Sequence, residues 1–478
     1  MLLNELKTKS IRFFVTQSND MWMILMKEFY FWYLLNLLID KLDFKLNNIN
    51  LEIVYPTNNY INNLFKNCKY FKEEYFVFYL ENSYHSNNYS LNFLKVFLDK
   101  AELSNKKIII YSKKINDEKS EILLKNYENI ILIIKSEIEY FFYQFFYNKL
   151  DINNIWNLIY RQTNWSLIYT KKEDVNYDLK DYILWWHYSW YLDKFQKSKD
   201  YIMNMIDDDN DRTSNLLTYN YPKNIKISHF RNQTDDFAMI SSGRWCKYKC
   251  NYCYRWAKFS KIRNIPITII KKDLDYLNNN FYKNIYFYDD CFLTTNYDRI
   301  DAILWLMSKY QFKYWISIRY EICSDEIFEK LLKINFYRIQ IWLQSTSFIG
   351  NKASWRNVNI EKFKLLILKF NEKNIHTSID IILWLPWDSL NDFIETLNFA
   401  ISLNPWNIHI NTLFINQWTK LYDEIDKHWI ITNNPDNYLF SAPNILESKT
   451  FSKKDIILAK KYVEKIKEKI KSINIILR

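Results

Sequence analysis

Three of the six cysteines, Cys246, Cys250 and Cys253, fall within eight residues in a C-x3-C-x2-C spacing. Three thiolates on one short loop can hold three irons of a 4Fe–4S cluster and leave the fourth iron open to another ligand. A structural zinc would need a fourth protein ligand, and the nearest candidates in sequence, His229 and Cys291, are not at a usual zinc spacing. Three unliganded thiols in a core are the remaining alternative. Cys291 and Cys323 have no partner cysteine nearby in sequence and read as ordinary core residues, as do His376 and His409 in strand-like runs.

Such a loop needs a rigid frame, and the flanking sequence supplies a regular one. Strand-like Phe237 to Ser241 leads into the cysteines, and the helical run Ile267 to Asn280 follows. Strands are then expected at Asn284 to Tyr288, Tyr314 to Ile318, Arg338 to Leu343, Ser378 to Leu383 and Asn407 to Phe414. Helices are expected between them at Tyr297 to Tyr310, Asp325 to Ile334, Ile360 to Asn371 and Leu390 to Leu403. Ser389 and Asp392 form a capping-box pattern before the last helix. Six β/α units in succession imply an α/β fold with a parallel barrel or partial barrel, whose chemistry sits at the C-terminal ends of the strands.

The first third alternates strand-like runs, Ile11 to Val15, Leu51 to Tyr55, Tyr75 to Tyr79, Lys107 to Tyr111 and Asn129 to Ile134, with helical ones at Lys27 to Leu42 and Tyr89 to Ala101. That is the pattern of an open, Rossmann-like parallel sheet. Asp207 to Asn215 is acidic but lacks EF-hand spacing, so it reads as a solvated loop. The expected division is a sheet domain at 1–150, a linker region at 151–235, the barrel at 236–423 and a C-terminal extension at 424–478.

Of the 478 residues 49% are hydrophobic, which excludes wholesale disorder. No apolar run reaches the ~18–20 residues of a membrane span; Met21 to Ile39 is interrupted by Lys27 and Glu28. No signal-peptide pattern stands at the N-terminus, and the cysteines are too few and uneven for a disulfide scaffold, so a cytoplasmic location is expected. The net charge is +11, and Ser452 to Arg478 holds nine basic and three acidic residues. Its apolar positions have helical spacing, which reads as a solvated helix packed by one face; nucleic-acid contact is the sharper alternative.

The run from Gly243 to Cys253 resembles the signature loop of the radical S-adenosylmethionine (SAM) superfamily, including Tyr252, the aromatic before the third cysteine. The resemblance spans about Asp236 to Asp423 and extends to Asp289 and Asp290 after the second strand, Arg319 after the third, and Gln344 and Ser345 after the fourth. It implies a 4Fe–4S cluster on Cys246, Cys250 and Cys253, with Tyr252, Asp289, Asp290, Arg319, Gln344 and Ser345 around SAM. It also implies reductive cleavage of SAM to methionine and a 5′-deoxyadenosyl radical, with electrons from a donor such as flavodoxin or ferredoxin. The first third resembles the cobalamin-binding type of domain found ahead of this barrel in one branch. The D-x-H-x-x-G motif supplying cobalt's lower histidine is missing, and the first histidine is His85, so cobalamin is not expected.

Composition is abnormal in one respect. Ordinary usage of ~7% would give roughly 33 glycines; the chain has 2 glycines and 18 tryptophans. Trp245, Trp342, Trp384 and Trp387 stand where the family usually has glycine, and Trp418 lies in Gln417 to Tyr422, which resembles a loop usually reading P-G-T-x-L-Y. These are places where backbone turns tightly or approaches a ligand. Many of the tryptophans therefore read as UGA codons meant as glycine; a genuinely tryptophan-rich protein is the alternative. Nothing in the sequence names the substrate. RNA methylation or methylthiolation, and a non-catalytic iron–sulfur protein, are the competing readings.

Overall fold

In the computed structural model of the protein, the described residues are 9–16, 49–54, 71–80, 105–172 and 237–477, with short breaks in the last two spans, and single core positions at 6, 42, 94 and 97–99. The helix expected from Lys27, most of that from Tyr89, the acidic loop at Asp207 to Asn215, His85, His229, Trp245, Gln417 and Trp418 lie outside them.

The first sheet is ordered β2-β1-β3-β4-β5-β6-β7. Strands β1 (Ile11–Thr16), β2 (Ile49–Val54), β3 (Tyr75–Tyr79), β4 (Lys107–Tyr111) and β5 (Ile130–Ile134) run parallel. Strands β6 (Leu158–Arg161) and β7 (Leu167–Tyr169) are added antiparallel. The order 2-1-3-4-5 is a doubly wound one with its switch point between β1 and β3. Both faces are buried, which explains why β3 and β4 read as continuous apolar runs rather than alternating ones. One face packs Phe14, Phe76, Phe78 and Phe97 with Leu123 and Leu124 of α1 (Asp117–Asn126). The other face, with Phe13, Val77, Ile109 and Leu132, shares one continuous core with α2 (Ile138–Phe142) and the second sheet.

That second sheet holds seven parallel strands in the order β18-β15-β14-β13-β12-β11-β8. Its members are β8 (Phe237–Ile240), β11 (Asn284–Phe287), β12 (Lys313–Ile318), β13 (Phe336–Gln344), β14 (Thr377–Leu383), β15 (Asn407–Thr412) and β18 (Asn474–Leu477). The short hairpins β9 (Gly243–Arg244) with β10 (Arg263–Asn264), and β16 (Ile431–Thr432) with β17 (Ile445–Glu447), stand outside it. Spatial order follows chain order, and among the described residues edge strands β8 and β18 do not pair, so the barrel is partial.

The crossovers are α3 (Ile267–Asn279), α4 (Tyr297–Met307), α5 (Asp325–Leu331), α6 (Phe348–Ala353) with α7 (Ile360–Glu372), and α8 (Leu390–Ser402). The capping box at Ser389 and Asp392 is formed, each partner bonding the other's backbone. After β15 come α9 (Lys420–Asp423) and α10 (Lys453–Lys469). The basic helix α10 buries Ile456, Ala459 and Val463 and delivers the chain into β18, which pairs with β15. Residues 424–478 thus contribute a seventh β/α unit. No helix among the described residues is long and apolar enough to cross a membrane.

Candidate active site

The cysteine loop leaves β8 at the C-terminal edge of the sheet, and five separate contacts hold it. Asp289, after β11, accepts from Ser242 N (3.0 Å), Ser242 Oγ (2.8 Å) and Gly243 N (2.7 Å). Burial raises its carboxyl to about 6 against the pull of those bonds. Arg299 donates to the carbonyls of Ser242 (2.6 Å) and Ile265 (2.7 Å). Gly243 pairs in the hairpin so closely that a Cβ would lie 3.0 Å from the Arg263 carbonyl oxygen. Asn251 Nδ2 donates to Ala353 O (2.9 Å), which ties the loop to α6.

The fifth contact reaches the first sheet. Arg244, two residues before Cys246, meets Glu137 Oε1 (2.8 Å) and Glu139 Oε1 (3.0 Å), and Arg263 meets Glu137 Oε1 (2.6 Å). All four side chains are buried. Taking such charges out of water is costly unless they pair. No sequence pattern marks this network, because its partners lie more than a hundred residues apart.

Arg319, at the end of β12, comes against the cysteines. Its NH1 lies 3.7 Å from Cys250 Sγ, and its guanidinium covers the Tyr248 ring at 3.8 Å. Burial opposes its charge, but Glu321, bound through two of its nitrogens, outweighs that and keeps it firmly protonated. Arg356 joins the same carboxylate (3.4 Å) and donates to Trp342 O (2.9 Å). Glu321 and Arg356 are neighbours of Arg319 that sequence reasoning missed. Burial pushes the Tyr252 hydroxyl far up, with Cys250 adding to it.

Cys291 lies buried after β11, and burial, then the neighbouring Cys246, push its thiol well up. Cys323 stays an ordinary buried residue, its thiol raised to about 12 by burial. Among the described residues no three His, Cys, Asp or Glu side chains could together hold a metal ion. A mononuclear zinc would require such a group, whereas a cubane spreads its thiolates over separate corners.

The fourth-strand motif divides. Gln344 takes a left-handed backbone (φ 71°), and its buried Oε1 has no hydrogen-bond partner. Ser345 is engaged inside the protein: its hydroxyl accepts from Ser347 N (3.1 Å), and its carbonyl accepts from Asn351 (2.6 Å). Asp388 also fills the space over Gly350, where a Cβ would fall 1.8 Å from Oδ1. Asp290 is half-buried at the end of β11. His409 lies in a buried network, Nδ1 3.0 Å from Asp380 and Nε2 2.7 Å from Arg338, and His376 stacks on Trp406.

Three tryptophans, Trp355, Trp384 and Trp429, sit at positive φ (59°, 49° and 50°). Large side chains there are outliers. The buried indole nitrogen of Trp384 has no hydrogen-bond partner. Trp342 lies at a register shift of β13, and Trp387 meets His428 edge-on at 4.2 Å.

Residues 240–400 match the sequence model of the radical SAM superfamily. No curated protein matches the chain in sequence. The radical SAM methyltransferase TsrM from Kitasatospora setae, solved with its tryptophan substrate and a SAM analogue, superposes with a TM-score of 0.60 at 11% identity, over 87% of this chain and 76% of that one. The cobalamin-dependent SAM radical enzyme OxsB, solved with aqua-cobalamin, superposes with a TM-score of 0.55 at 15% identity, over 92% of this chain and 57% of that one. Residues 240–400 thus match the radical SAM superfamily, and the chain as a whole shares its fold with TsrM and OxsB.

Proposed function

We propose that Cys246, Cys250 and Cys253 hold a 4Fe–4S cluster and that the chain cleaves SAM reductively. The observation carrying this is the three-cysteine loop at the C-terminal edge of the parallel sheet, with the Arg319 cation 3.7 Å from Cys250 Sγ. The donor set fits: three thiolates suit iron, and a fixed cation suits a cluster of net negative charge. When bound, the reduced cluster supplies the electron that splits SAM into methionine and a 5′-deoxyadenosyl radical.

The chain's own residues divide the remaining work. Gln344 Oε1, buried and unpartnered, accepts a hydrogen bond from SAM. Asp290 and Tyr252 border the same space. Asp289 and Ser345 shape the loops that carry ligand-binding backbone, since their side chains are bonded within the protein. Arg319 and Glu321 fix the electrostatics beside Cys250. A low-potential donor such as flavodoxin or ferredoxin supplies the electron. The first sheet supports the second through Glu137 and α2, and no histidine in it serves as a lower ligand to cobalamin.

The same reading makes many tryptophans glycine positions. Trp384, one of the family glycine positions, is among the three with left-handed backbone, where glycine alone is at ease. Anaerobic reconstitution with iron and sulfide, followed by SAM and reductant, tests the proposal through iron content and 5′-deoxyadenosine formed.

A further inference from the structure

The second sheet carries a hydrogen-bonded cluster that has no part in holding the cysteine loop. Strand order follows chain order, so right-handed crossovers set the helices on one face. Ile341, Ile381 and Ile410 are fully buried toward that face. The alternating positions Gln340, Asp380, His409 and Asn411 share the opposite face with Arg319. Asp380 is the hub. Its Oδ1 meets His409 Nδ1 at 3.0 Å, and its Oδ2 accepts from Gln340 Nε2 at 2.8 Å and from Asn411 Nδ2 at 3.3 Å. Arg338, always a donor, lies 2.7 Å from His409 Nε2, so that nitrogen accepts and Nδ1 carries the proton toward Asp380. A carboxylate can only accept, so both amides turn their NH2 groups to it and their carbonyl oxygens away. Asp380, His409 and Arg338 are buried, while Gln340 and Asn411 are half-buried. Neither amide carbonyl has a hydrogen-bond partner among the described residues.

We propose that Gln340 and Asn411 bind the substrate through those two carbonyl oxygens and select one that presents a positively charged nitrogen, a primary amine. The inference rests on the function proposed above, since it names the substrate class of that site. Two amides anchored on one carboxylate oxygen hold their acceptors in fixed directions before any ligand arrives, which lowers the cost of binding. The charge directly behind them is negative, and the Arg338 cation stands further off, beyond His409. Acceptors backed by a carboxylate attract an ammonium group and disfavour a substrate carboxylate. Position agrees with chemistry. Trp342 pairs with Asp380 and Asp380 with His409, while Ile341 pairs with Ile318, so Arg319, Trp342, Asp380 and His409 form one row across the sheet. Asp380 thus stands two strand spacings, about 10 Å, from the Arg319 position beside Cys250. Trp342 lies between them, one of the positions read as glycine, and glycine there opens the wall between the amides and the cysteine loop.

The test is calorimetric titration of the reconstituted full chain, with Trp342 and with Trp342→Gly, against benzylamine, benzyl alcohol and benzoate, three probes that share one ring. In at least one version benzylamine should bind in preference to the other two. Gln340→Met and Asn411→Leu keep the bulk and remove the carbonyl. Each should weaken benzylamine about tenfold, the usual worth of a hydrogen bond to a charged group, and narrow its preference over benzyl alcohol. A merely structural role would weaken all three probes alike and leave the preference standing. Where a variant does not fold, 4-iodobenzylamine diffused into crystals of the unsubstituted chain locates the site, and its iodine signal should place the amine against Gln340 and Asn411. Absence of the preference in both versions, folded variants that keep it, or iodine bound elsewhere overturns the proposal. Failure of the cluster assignment is read separately, from iron content and 5′-deoxyadenosine, and is distinguishable from any of these.

Discussion

The Arg244 guanidinium lies 2.8 Å from Glu137 Oε1 with both side chains withdrawn from solvent, so the loop carrying Cys246 is bolted to the turn between β5 and α2 of the first sheet. Glu137 also takes Arg263, the facing strand of the loop's hairpin. Removing one partner of a buried pair typically costs about 3–5 kcal/mol, because the other charge is left unpaired. Glu137→Gln leaves two guanidiniums short of a countercharge and should destabilise the protein by about that amount in denaturant unfolding. It should also loosen the cysteine loop, read as faster loss of iron to a chelator.

A steric prediction follows from Gly350. Its α-hydrogen faces Asp388, and a methyl there would overlap Oδ1 at 1.8 Å. Gly350→Ala should destabilise by about 1–3 kcal/mol, the usual cost of overpacking. The Gly350→Ala/Asp388→Ala double variant should cost less than the two single changes added, because the second removes the clash made by the first. Thermal or denaturant melts of the three variants measure this.

Asp388 also sets a pH dependence. Burial, against the pull of the nearby Ser345 and Ser347 side chains, raises its carboxyl to about 6. Between the ordinary carboxylate range and about pH 6 the folded state holds a proton that the unfolded state has released. Linkage then makes stability fall as pH rises through that window and level off above it. Asp388→Asn removes the term, so the stability difference between wild type and variant should move against wild type from pH 4 to pH 6, on the order of 2–3 kcal/mol. A difference that is flat with pH would contradict it.

Most of the frame was legible because it is periodic. Strands β3, β4 and β8 to β15 of the parallel sheets fall within about two residues of their expected positions, since β-branched and aromatic runs bounded by helical ones leave little choice of fold. The Ser389 capping box was legible because it is local. What escaped is non-local. The contact of Arg244 with Glu137 depends on which elements become neighbours and leaves no trace in spacing. Helix α6 escaped for a different reason: it is one and a half turns long, and its apolar Phe348 and Ile349 face solvent rather than forming a buried stripe.

The tryptophans yield a stability prediction that separates backbone from packing. Trp355 and Trp429 are exposed yet left-handed, so replacing them by glycine removes strain without emptying a core. Forcing a side chain into that region costs roughly 1–2 kcal/mol, and Trp355→Gly and Trp429→Gly should each raise the melting temperature. Restoring glycine together at Trp245, Trp342, Trp384 and Trp387 should increase both stability and SAM cleavage. UGG codons at these positions, or equal behaviour of the two versions, would contradict the recoding.

The central claim is that the loop of Cys246, Cys250 and Cys253 carries a cluster that reduces SAM. The direct measurement is 5′-deoxyadenosine formed by the anaerobically reconstituted chain with SAM and a strong reductant, wild type and glycine-restored version beside Cys250→Ala. The account predicts a cluster of four irons and four sulfides with 5′-deoxyadenosine produced in the glycine-restored version, and loss of both in Cys250→Ala. A glycine-restored protein that folds, holds a full cluster and forms no 5′-deoxyadenosine, or a Cys250→Ala variant that matches it, would contradict the account.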